Sequence, residues 1–189
     1  MGGTGGVVRV ASGHSQATSS GGMYLVTPNS GRLGTSGAIT LKTGTSSVGA
    51  SGALQVMTGD ATGGKAGDIS MLVGTGTLGT GGDIIINAGD TLDDATGGIV
   101  HITSGRSQLS SSGEVYVQTA PGGRGGDSGR ILVQTGTTTQ GSTGSIEIRT
   151  GEATKGRGGD ITLSVGAGDS GSGGNIYVNA GFTSAKDST

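Results

Sequence analysis

The sequence has no cysteine and no tryptophan, and its 189 residues include only one phenylalanine, three tyrosines and two prolines. The missing cysteines exclude a disulfide scaffold and thiolate metal sites. Hydrophobic residues make up 30% of the chain, against roughly 45–50% in ordinary globular domains. A compact aromatic and aliphatic core is therefore excluded, and any core must be thin and repetitive. No stretch approaches the roughly 18 consecutive apolar residues of a membrane span, so no membrane insertion is expected. The net charge is −2, with 11 basic residues placed singly. That leaves no electrostatic footprint for nucleic acid or an anionic membrane.

What is abundant is glycine, 45 residues in all. At that level disorder is the default unless a period exists. Collagen fails as that period, because glycine does not recur at every third residue and only Pro28 and Pro121 are present.

A different period is present. Glycines that open a short alternating apolar run stand at Gly6, Gly21, Gly37, Gly52, Gly67, Gly82, Gly98, Gly113, Gly129, Gly144, Gly159 and Gly174, always 15 or 16 residues apart. With the opening glycine as position zero, positions two and four are apolar in all twelve repeats: Val8/Val10, Ile39/Leu41, Ile84/Ile86, Val115/Val117 and Ile176/Val178 are examples. Such alternation is the pattern of a half-buried strand. Position six is small or β-branched, as in Thr43, Thr58, Val73, Ser104 and Val165, and adds a third inward residue. Position seven is glycine in ten repeats of twelve, which predicts a corner with unusual backbone angles there. Gly, Ser, Thr and Asp fill the return to the next repeat.

Two apolar side chains do not offset the ordering of fifteen residues, so the pattern predicts stacking of each coil on the last. The expected fold is all-β: a single-domain β-solenoid (β-helix) over residues 1–189, flattened, with about twelve coils of 15–16 residues.

A longer repeat overlies the short one. A shift of 92 residues brings VVRVASGHSQATSSGG (7–22) onto IVHITSGRSQLSSSGE (99–114), and TGDATGGKAGDISMLVGTG (58–76) onto TGEATKGRGGDITLSVGAG (150–168). The two departures from glycine at position seven, Pro28 and Ala120, are also 92 apart. The chain thus reads as two tandem six-coil units, 6–97 and 98–189. Neither end carries an atypical polar cap of the kind solenoids normally need. The expected partner is accordingly the chain itself, through uncapped solenoid ends, or the continuation of a longer array.

The pattern G-x-I-x-L-x-T-G with a Gly/Ser/Thr return, as at Gly37 to Gly44, resembles the glycine-rich β-solenoid arrays of large cell-surface and extracellular proteins of microalgae and other protists. That resemblance implies a structural or adhesive role at the cell surface or outside the cell, with no catalytic residues to carry over. A weaker resemblance is to repeat-type ice-binding proteins, whose coils are of similar length. It implies a flat outward array of threonines. Ser47, Thr62, Thr77, Thr139 and Thr154 share one column of the returns, but Gln108, Gly123 and Asp169 interrupt it.

No residue set points to catalysis, a cofactor or a bound metal. Asp68, Asp83 and Asp160 stand at strand starts, and the 15-residue period does not match the nine-residue repeat of calcium-binding β-rolls. His14 and His101 lack acid or thiol partners at motif spacing. The glycine-rich strings neither open a helix nor carry the Lys-Ser/Thr ending of a phosphate loop. Tyr24, Tyr116 and Tyr177, with Leu72, Ile85 and Leu132 on the same outward face, could form a shallow strip for a sugar or a partner chain. The sequence therefore predicts a non-enzymatic structural module of an extracellular fibre, sheath or adhesive. Ice binding and a carbohydrate-binding or calcium-dependent adhesin module are the alternatives, with a polysaccharide or ice as the surface met.

Overall fold

The computed structural model describes residues 5–182. The expected character of the chain ends concerns residues partly outside that range. Among the described residues there is no helix and no paired β-strand. The β-solenoid is therefore not the fold of this chain, and the expected flattened core goes with it. The chain is coil-rich, and it divides into two units, Met1–Gly89 (unit 1) and Asp90–Thr189 (unit 2).

The reason lies in the hydrogen bonds. An extended run becomes a strand only when its backbone groups pair with a neighbour. The backbone pairs among the described residues are Gly21 to Gly13, Gly34 to Gly31, Ala95 to Asp93, Gly113 to Gly105 and Gly126 to Gly123. All of them close short local loops, and none joins one alternating run to the next. Without that ladder the apolar side chains form no buried column, and none of the described residues is buried.

The alternation still leaves a trace. Position two is 50–61% exposed in every repeat but the first, whereas position four is 65–88% exposed. Position two is thus somewhat more sheltered than position four in every run but the first.

Each return turns once, near its middle. In unit 1 the turns lie at 16–18, 32–33, 47–49, 62–64 and 77–80; in unit 2 they lie at 92–95, 108–110, 124–125, 139–141, 154–156 and 169–171. The five turns of unit 1 recur 92 residues later. In the first of them the side-chain bond recurs as well: the Thr18 amide donates to Ser15 Oγ (3.0 Å) and the Ser110 amide to Ser107 Oγ (3.0 Å). These are short Ser/Thr turns, in which a hydroxyl substitutes for a backbone acceptor.

The position-seven glycines do not adopt the left-handed backbone expected of them. Positive φ occurs instead inside the returns, at Gly79 (80°), Gly125 (78°), Gly141 (103°) and Gly171 (76°). With no rung to leave, position seven needs no sharp corner. The reversal happens at the return's tip.

Candidate interaction face

Ten returns, those that end at Gly21, Gly37, Gly52, Gly67, Gly82, Gly113, Gly129, Gly144, Gly159 and Gly174, are drawn together at a neck built from position six and the next opening glycine. Thr27 Oγ1 donates to the Gly37 carbonyl (3.0 Å), and Ser12 Oγ donates to the Gly21 carbonyl (2.7 Å). At that same neck the Gly21 amide donates to the Gly13 carbonyl (2.9 Å), as Gly113 does to Gly105 (2.9 Å) in unit 2. Elsewhere a methyl takes the hydroxyl's place: a Cβ on Gly82 would lie 2.9 Å from Val73 Cγ1, and one on Gly174 would lie 2.8 Å from Val165 Cγ1. Glycine at position zero thus leaves the space that the position-six side chain occupies. Thr27, Thr43, Ala88, Ser104, Thr119 and Thr135, all at position six, are among the few side chains that are not fully exposed. Position six therefore packs on a loop neck rather than completing an inward rung. The signal was legible as a Thr, Ser or Val followed nine or ten residues later by glycine.

A second feature absent from the sequence reading braces two of these necks. Lys65 pairs with Asp68 at 2.9 Å, and Arg157 pairs with Asp160 at 2.5 Å. Both pairs span the opening glycine at equivalent places in the two units, and a Lys/Arg-x-x-Asp spacing is the sequence signature. The exchange of lysine for arginine keeps the charge. These pairs are exposed, so each contributes little, about 0–1 kcal/mol.

The acids singled out in the sequence are thereby accounted for in part. Asp68 and Asp160 face basic partners, while Asp83 borders an open groove. Among the described residues no group of three or more His, Asp or Glu converges as a metal site. His101 Nε2 lies 2.7 Å from Thr103 Oγ1, two residues along the same run. The threonines of the returns, Thr62, Thr77, Thr139 and Thr154, sit in separate turns with Ser47, and none bonds another.

The tyrosines are exposed and lie along their own runs. The ring of Tyr24 folds over Gly22, close enough that a Cβ there would come within 3.1 Å of it. The Tyr177 hydroxyl lies 3.2 Å from Asn175 Nδ2, which donates to it. Both contacts join positions one and three, which share a face in extended chain.

In unit 1, apolar residues from two successive repeats line a common groove. Leu72 and Ile85 line one shallow, open groove together with Met71, Val73 and Ile84, and Ser70 and Asp83 lie at its polar edge. Its walls are aliphatic, it holds no nucleophile beside a base, and it is open to solvent. Its chemistry is that of a contact surface. Set against protein-family models, curated proteins and solved structures, the chain matches none of them.

Proposed function

We propose that this chain is a non-enzymatic structural repeat module of an extracellular or cell-surface assembly, which acts by associating with further copies of itself. The observation that carries this reading is the fate of the apolar side chains. All the large hydrophobic residues described are at least 47% exposed, and the total accessible surface is 19790 Å². A compact monomer of this mass, 18.0 kDa, would expose roughly 8000 Å². So regular a series of exposed aliphatics is stabilised by removal from water, at about 25 cal/mol per Å², and the isolated chain does not achieve that removal. A surface with a period of 15–16 residues is best matched by one with the same period, and another copy of the chain has it.

The test is electron microscopy of the purified chain over a concentration series, paired with sedimentation velocity. Ordered assemblies that grow with concentration are the expected result. Single chains at every concentration would refute the reading.

A further inference from the structure

The two units share apolar even positions in their runs, while several odd positions change between them: Tyr24/Tyr116 and Asn87/Asn179 are kept, Thr40 becomes Leu132, and four apolar residues of unit 1 are replaced. Positions two and four are apolar throughout, but on the opposite face Val26, Met57, Leu72 and Ile85 of unit 1 become Gln118, Arg149, Ser164 and Tyr177 in unit 2. The unit 1 residues are highly exposed, Leu72 at 90% and Ile85 at 76%. Local structure does not require them to be apolar, since unit 2 keeps the same turns and necks without them. Leu72 and Ile85 also line the same groove, together with Asp83.

Charge separates along unit 1 in the same way. Residues 1–59 contain Arg9, Arg32 and Lys42 and no acid, whereas residues 60–89 contain Asp60, Asp68 and Asp83 against Lys65 alone. Lys65 is already paired with Asp68. Arg9, Arg32 and Lys42 enter no ion pair among the described residues, and neither do Asp60 and Asp83. In unit 2 basic and acidic residues are interspersed.

We propose that unit 1 carries a docking face that includes Val26, Met57, Leu72 and Ile85, and that its occupant is unit 1 of a second copy of this chain, packed in antiparallel order. This rests on the reading of the chain as a self-associating module. Antiparallel order sets the basic first repeats of one copy against the acidic last repeats of the other, and parallel order sets like charge on like. A stable pairing needs only about 800 Å² from each partner, a small part of what the chain exposes. The symmetric contact closes on itself as a dimer. Unit 2 of each copy is left for further growth.

Sedimentation of the full chain tests the face. The variant V26Q/M57R/L72S/I85Y gives unit 1 the residues that unit 2 already tolerates at the same positions, so altered local folding does not explain its effect. It is expected to weaken dimerisation at least about tenfold, while the converse change Q118V/R149M/S164L/Y177I does not weaken it. Added salt is expected to weaken the wild-type dimer. The chain has no cysteine, which makes cross-linking unambiguous. A mixture of A11C and N87C chains is expected to form the mixed disulfide, and A11C alone is expected not to pair with itself.

A wild type that never associates overturns both this proposal and the function it rests on. Association that ignores the unit 1 exchange overturns the docking face alone, and A11C self-pairing overturns the antiparallel order. If the wild type stays monomeric but sediments with insoluble cellulose or chitin, and the unit 1 exchange abolishes that, the occupant is a polysaccharide and the second-copy proposal fails.

Discussion

The neck between Val73 and Gly82 offers a quantitative test of how these loops close. A Cβ at position 82 would stand 2.9 Å from Val73 Cγ1, where carbon atoms normally approach to about 3.5–4.0 Å. Val73 is stiff at χ1, so the methyl cannot swing aside without leaving its rotamer. Overpacking of this kind costs about 1–3 kcal/mol. The substitution Gly82→Ala also stiffens the open chain, which offsets about 0.4–1 kcal/mol of that. The net loss of about 1 kcal/mol lowers the ratio of closed to open neck roughly fivefold. Gly52→Ala is the control, because its nearest neighbour, Thr43, would be 3.9 Å away. There only the chain-stiffening effect remains, and the neck should tighten slightly. The readout is the nuclear Overhauser effect between the residue 73 methyls and the residue 82 backbone in the full chain. It should fade in G82A, recover in V73A/G82A, and stay unchanged at the Thr43 neck in G52A. An undiminished signal in G82A, or equal losses in G82A and G52A, would refute the assignment of position zero as the space that position six fills.

Other expectations follow from the same geometry. Thr27→Val removes the hydroxyl that donates to the Gly37 carbonyl (3.0 Å) but keeps the methyl, and should open that neck by up to about 1 kcal/mol; the nuclear Overhauser effect between the residue 27 methyl and the Gly37 α-protons is the measurement. Gly171→Ala places a side chain at φ +76° and should cost its turn about 1–2 kcal/mol, with Gly171→Asn less harmful than Gly171→Val, as read from the chemical shifts of residues 169–173. Lys65→Gln should alter shifts only around Asp68 and leave the other necks intact. About 1 M salt, where screening acts over roughly 3 Å, should reproduce that change in the wild type.

How much of this was legible beforehand differs from element to element. The expected ladder failed because an alternating run such as Ile39-Thr40-Leu41 specifies an extended backbone and two distinct faces, but not the partner that would pair with it. Pairing is a long-range property. Glycine-rich returns hold many conformations in the open chain, so the runs receive little guidance toward one another. The same freedom explains the positive φ at Gly79 and Gly171 rather than at position seven: a loop closed at its neck reverses at its tip. The Lys65–Asp68 pair, by contrast, was readable from spacing alone, because its partners are three residues apart.

By itself the sequence determined the spacing of the repeats, the 92-residue duplication and the lack of material for a conventional core, all of which follow from composition and from interactions within a few residues. Only the tertiary structure decided that the runs stay unpaired, that position six closes a neck on the following glycine, and that Leu72 and Ile85 line one groove. Those outcomes depend on which distant groups come together, and a repeat whose members are nearly interchangeable does not encode that choice locally.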